Sequence, residues 1–212
     1  MKIAREVPAA FAALVLFLLI IGTATAEPLS PEALVRQVAA NVLGATNRGV
    51  PLQAGEKREA LALAEERILP HVDFAEATRL AATAAWTRAT PGQQVQMVSA
   101  FRAMLVRTYS DAIDAYRGQA MRVRPVKTRA ILQSSEAVVQ SEYVRPGEAP
   151  VGVEYAMRKY GGEWKIYDIT VDGVSLVQTY RPVFDHVTRT EGVDGLVRRL
   201  KENGKPRPSL AT

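Results

Sequence analysis

The residues with the strongest chemical character are Tyr167 and Asp168, within the stretch WKIYDITVDGVSLVQTYR from 164 to 181. A tyrosine and a carboxylate in one oily cavity can act as acid and base, because their environments push the two pKa values apart. Neighbours on a strand point to opposite faces, however, so alternation argues against a shared cavity and against an enzyme. Ser175 sits in GVSLV, which lacks the second glycine of a nucleophile elbow. His71 and His186 are the two histidines, no cysteine is present, and neither histidine has a second ligand at metal spacing. No catalytic residue, metal site or cofactor is therefore expected. Arg122, Arg124, Lys127 and Arg129 form a basic strand edge. A solvated edge is the first reading and docking of headgroups or a partner the second.

These residues need elements to hold them. Trp164 to Val171 is rich in aromatic and β-branched residues and reads as a strand. Asp172-Gly173 follows as a tight turn, and Ser175 is placed to cap a helix whose apolar side carries Leu176, Val177 and Tyr180. Upstream, a period of two predicts strands near 121–128, 136–145 and 151–160. Pro146-Gly147 and Gly161-Gly162 separate the last three of the four strands, which predicts an antiparallel meander. Val151, Val153, Tyr155 and Met157 alternate with other residues and assign one face inward.

Helices precede the sheet. Ser30-Pro31-Glu32 opens the first, with Leu34, Val38 and Val42 inward and Gly44 as its end. A second is expected from about Glu56 to Leu69, stopped by Pro70, and a short third from the capping pair Asp73 and Glu76. Thr90-Pro91 opens the longest, which runs to Tyr116. Its apolar stripe is read as Val95, Val98, Phe101, Leu105, Tyr109, Ala112 and Tyr116. Tyr109 stands out, since a hydroxyl on an oily face needs a polar partner. Pro182 predicts a kink or a break near Thr179. Asp194 is expected to cap a last helix with Leu196, Val197 and Leu200 inward and Arg198, Arg199 and Lys201 outward.

Four segments, in order, carry a family resemblance. They are ILPHVDF at 68–74, ATPGQQ leading into FRAMLVRTYSDAIDAY at 89–116, the YDxxVxGVSLVxxYR pattern ending at Arg181, and EGVDGLVRRL at 191–200. Together they resemble the MlaC, or toluene-tolerance, family of periplasmic lipid-binding proteins that serve an ABC-type lipid transport system. The resemblance implies an α+β fold in which a curved, four-stranded antiparallel meander is wrapped by several helices. The expected shape is a cone, NTF2-like, enclosing an apolar pocket. On this reading the pocket wall comprises Val98, Phe101, Leu105, Tyr109, Val153, Tyr155, Ile166, Ile169, Val171 and Val174. The implied ligand is a phospholipid. The implied partners are an inner-membrane ABC transporter complex and an outer-membrane lipoprotein/porin complex, with the chain itself a monomer. Three alternatives stay open: a carrier for a hopanoid or sterol-like lipid, an enzyme acting on an apolar small molecule in the same cone, and an interaction module with a filled core.

Composition sets the outer bounds. Lys2 and Arg5, an apolar run from Ala9 to Ile21 and Ala24-Thr25-Ala26 read as a cleaved secretory leader over 1–26, the run being short for a membrane span. The expected mature chain is a single periplasmic domain over 27–203 with a disordered tail over 204–212. Net charge is +5 for the whole chain and +4 without the leader. That suits anionic surfaces or an acidic partner and falls short of a nucleic-acid-binding composition.

Overall fold

The computed structural model describes residues 29–46, 62, 65–115, 122–123, 127–130, 135–144, 147 and 149–202. The expected leader, the tail from 204, Arg124, most of the helix expected over 56–69 and the side chains of Val42, Tyr109, Ala112 and Tyr116 lie outside the described residues.

Helix α1 (Pro31–Thr46) begins where Ser30 Oγ accepts from Ala33 N, and it buries Leu34, Val35, Val38 and Ala39. A 3-10 turn (Leu69–His71) leads to α2 (Phe74–Ala81), whose first turn is closed by the Asp73 carboxylate accepting from Glu76 N at 2.9 Å. After the short α3 (Thr83–Trp86) comes α4 (Pro91–Ala115), opened by a reciprocal capping box. Thr90 N donates to Gln93 Oε1 and Gln93 N donates to Thr90 Oγ1, so two amides that lack helical partners are satisfied. The buried stripe of α4 is Met97, Ala100, Phe101 and Met104, whereas Val95 is 70% exposed. The apolar arc is thus turned by one residue from the expected stripe, with Val98 and Leu105 half-buried on its flank.

The sheet is antiparallel and follows the expected meander. It comprises β1 (Arg122–Val123), β2 (Lys127–Ala130), β3 (Glu136–Val144), β4 (Val151–Tyr160), β5 (Glu163–Val171) and β6 (Val174–Ser175). The expected first strand is two short ones, both paired with β3, and the order then runs β3-β4-β5-β6. Asp172 and Gly173 have φ of 47° and 83°. Both central residues of a hairpin turn that follows the sheet's own twist take positive φ, so β5 folds back into β6 without splaying.

Helix α5 (Leu176–Lys201) keeps helical dihedrals through Pro182, so no break falls near Thr179. The break falls instead at Gly192, whose φ of 73° favours a residue without a Cβ. Beyond it Leu196, Val197 and Leu200 are buried and Arg198 and Arg199 exposed, as their spacing predicts.

Two apolar clusters result. One joins α2, α3, α4 and α5 around Phe101, Tyr180 and Phe184. The other joins α1 to one face of the sheet: Leu34, Val35 and Val38 meet Val139, Val153, Tyr155, Met157 and Ile166. Along β5 the helical unit is tied to the sheet. Val72 bridges Ile166, Asp73 N donates to Ile166 O at 2.8 Å, and α2 and α5 both contact that strand.

Candidate functional site: the apolar face of the sheet

The register of the meander sorts its side chains by face. Tyr143 pairs with Val151, Ser141 with Val153, Val139 with Tyr155 and Ala137 with Met157. On the other side of β4, Val153 pairs with Val171, Tyr155 with Ile169 and Met157 with Ile166, while Val174 pairs with Val171. Side chains directly opposite share a face, so these residues form one surface. Beneath α1 it is buried at Val139, Tyr155, Met157 and Ile166. Towards the β5–β6 turn the cover thins: Val151 and Tyr143 are half-buried, and Val171 and Val174 are 44% and 47% exposed.

Polar groups on this surface are few. The Tyr143 and Tyr155 hydroxyls lie 2.7 Å apart, and buried Ser141 donates to the Val153 carbonyl at 3.3 Å. Burial pushes both phenols well above the ordinary tyrosine range, so both stay protonated and neutral at any physiological pH.

The opposite face is charged and tightly paired. Arg158 donates to Glu136 at 2.6 Å and to Glu76 of α2 at 2.7 Å, and Arg79 also donates twice to Glu76, at 2.6 Å. These hydrogen bonds, those of Arg79 first, hold the Glu76 carboxyl below its usual range although burial opposes them. The 3-10 turn carries His71, where burial and then the charge of Lys165 lower the imidazole pKa and favour the neutral form.

Tyr167 and Asp168 belong to that charged face, and alternation does not separate them. Ala156 pairs with Asp168 but Met157 with Ile166, which leaves Tyr167 as the extra residue of a β-bulge. Its ring lies under the Arg158 guanidinium, 5.3 Å from centroid to Cζ. Asp168 is committed to the start of α5. It accepts from Ser175 Oγ at 2.5 Å, from Val177 N at 3.1 Å and from Ile169 N at 2.9 Å, while Ser175 Oγ accepts from Gln178 N. The pair that began as an acid–base candidate is a stacked ring and a helix cap. Ser175, the other nucleophile candidate, is the second half of the same cap.

The family model described as MlaC protein matches residues 36–202. The chain belongs to the MlaC family. Within it, this MlaC-family chain is 28% identical over 130 residues to the toluene tolerance protein ttg2D of Pseudomonas putida, covering 60% of this chain and 59% of that one, under two thirds of the relative's length. It is 20% identical over 190 residues to the intermembrane phospholipid transport system binding protein MlaC of Haemophilus influenzae, covering 87% of this chain and 86% of the relative. Among solved structures, the phospholipid-binding protein from Ralstonia solanacearum, in complex with a phospholipid, superposes with a TM-score of 0.71 at 34% identity. The match covers 83% of this chain and 97% of that one.

The residues expected to line a pocket divide between the two clusters. Val153, Tyr155, Ile166 and Ile169 share the sheet face, and Val171 and Val174 extend it to the exposed end. Phe101 and Leu105 sit in the helical cluster, where the Phe101 ring is edge-on to both Tyr180 and Phe184, and Val98 is half-buried outside either cluster. Sequence reasoning missed Tyr143, Ser141 and Val151 as members of the surface. The signal was present: one hairpin through Pro146-Gly147 places the alternate residues of 137–143 beside those of 151–157.

Proposed function

We propose that this MlaC-family protein is a soluble periplasmic carrier that binds a phospholipid by its acyl chains and moves it between membrane complexes. Those complexes are an inner-membrane ABC transporter and an outer-membrane lipoprotein/porin assembly, and the cellular consequence is maintenance of outer-membrane lipid asymmetry. The acyl chains lie against the sheet face, with Val153, Tyr155, Ile166, Ile169, Val171 and Val174 as wall, and the headgroup stays at the exposed end. The observation that carries the reading is the gradient along that face, from buried Ile166 and Met157 to half-exposed Val171 and Val174. The Ralstonia solanacearum neighbour with its bound phospholipid supports the ligand class. No helix of the described residues is long and apolar enough to cross a membrane, which accords with a carrier that travels through water.

The need for a carrier follows from transfer free energy. Each buried methylene is worth about 0.8 kcal/mol, so two chains of roughly 30 methylenes together hold a lipid in its membrane by on the order of 20 kcal/mol. A protein face that replaces the bilayer removes most of that barrier.

The test is transfer of isotopically labelled phospholipid from donor to acceptor vesicles. Transfer that rises in proportion to added protein supports the carrier, and a rate no higher than in protein-free controls overturns it.

A further inference from the structure

Three hydroxyls, those of Tyr143, Tyr155 and Ser141, share a face that is otherwise apolar among the residues with described side chains. Tyr143 pairs with Val151 and Tyr155 with Val139, so the two backbones are four residues apart in register. At 3.3 Å per residue that is about 13 Å. Yet their hydroxyls meet at 2.7 Å, so the rings lean towards each other over the intervening Ser141–Val153 pair. Ser141, in that intervening pair, donates to the Val153 carbonyl at 3.3 Å. A hydroxyl in apolar surroundings costs free energy unless it is bonded, which is why the two phenols pair.

The phenol pair can be bonded in two directions, since either hydroxyl can donate. Inward, Tyr143 donates to Tyr155. Outward, Tyr155 donates to Tyr143, and the Tyr143 proton is left for another acceptor. Both directions keep the bond between the phenols, so a good acceptor beside Tyr143 selects the outward one. Tyr143 is the half-buried member, at the end of the sheet where Val171 and Val174 are exposed.

We propose that the Tyr143 hydroxyl, backed by Tyr155, donates a hydrogen bond to an ester carbonyl of a lipid lying on this face and so selects ester-linked over ether-linked chains. This rests on the carrier reading above. The geometry fits the ligand class: an acyl lipid carries its ester carbonyls where the chains meet the glycerol, at the boundary between oily and wet surroundings. A dialkyl ether lipid has the same length and headgroup but lacks the carbonyl, leaving the outward proton without its acceptor.

The experiment offers wild-type protein equimolar vesicles of diester and diether phosphatidylglycerol of matched chain length, re-isolates the protein and measures bound lipid by mass spectrometry. The expected result is diester enriched roughly threefold to tenfold, the scale of one net hydrogen bond, with the ratio falling to one in Tyr143→Phe. Equal retention by the wild type, or an unchanged ratio in Tyr143→Phe, overturns the inference and leaves the carrier reading standing. Neither lipid bound to the wild type overturns both. A measurement that needs no variant is the infrared carbonyl band of ¹³C-labelled diester lipid on the wild type. A band below that of the same lipid in hydrocarbon solvent supports the bond, and an unshifted band overturns it.

Discussion

The two apolar clusters of this protein are built from similar residues and end differently. In the helical cluster Phe101, Tyr180 and Phe184 are essentially inaccessible, with centroids 5.1 to 5.6 Å apart in edge and stacked geometry. Small residues at Ala77, Ala81, Ala82 and Ala85 let α2 and α3 approach them. Around this triad the packing closes. On the sheet face the burial is graded along each strand, a pair of phenol hydroxyls replaces hydrocarbon near the level of Val153 and Val171, and the last valines meet solvent. Close packing serves a core whose only task is stability. On the proposed carrier reading, a surface that takes and releases an apolar ligand needs an unfilled side, and the exposed valines at 171 and 174 are where the two clusters differ.

The largest expected effect sharpens the first half of the comparison. Phe184→Ala should cost about 3 to 5 kcal/mol, because it leaves a cavity in a filled core. Urea unfolding would show this, with lipid content per folded molecule unchanged. Val153→Arg addresses the other half. If Val153 faces acyl chains, a long cationic side chain can lie along the vacated face with its head at the exposed end. The loss of stability should then stay within about 2 kcal/mol while bound lipid is lost. In a filled core the same change would add strain and an unpaired buried charge, and the domain would unfold. Circular dichroism melting and lipid extraction on one preparation separate these outcomes. A variant that unfolds, or that keeps full lipid occupancy, would place Val153 in the same class as Phe184.

The smallest effect concerns the charged face beside β5. Glu76 is buried between Arg79 and Arg158, and its folded pKa lies below the ordinary 4.5. A depressed carboxylate contributes stability that is fully present above pH 4.5 and is lost as pH falls through the folded value. Glu76→Gln should therefore lower stability by about 1.5 kcal/mol at pH 7, in line with hydrogen bonds to charged groups. The gap to wild type should close as pH falls below 4.5 and through the lowered folded value. Melting curves across that range check it, and parallel acid limbs for the two proteins would deny Glu76 this role.

Much of this arrangement was legible in the sequence where local chemistry and tertiary packing agree. The cap at Asp73, the helix start at Thr90-Pro91, the Asp172-Gly173 turn and the alternation at 151–157 each reappear as read. Alternation failed at Tyr167 because a bulge changes the register there, so that Ile166 and Ile169, three residues apart, share a face and the period of β5 breaks between them. The stripe of α4 was misplaced by one residue because Met97 and Met104 flank Val98 and Leu105, and hydropathy cannot choose between adjacent apolar rows. Pro182 predicted a break that glycine at 192 takes instead. Phe101 could not be assigned to one cluster by pattern, since a wall of a pocket and a wall of a core have the same period.

The most direct test of the carrier account is native mass spectrometry of the protein as purified from its exporting cell, followed by denaturation of the same sample. The account predicts one phospholipid per chain in the native spectrum, released on denaturation and recovered as intact lipid. A native mass equal to that of the bare chain, unchanged after incubation with phospholipid vesicles, would contradict it.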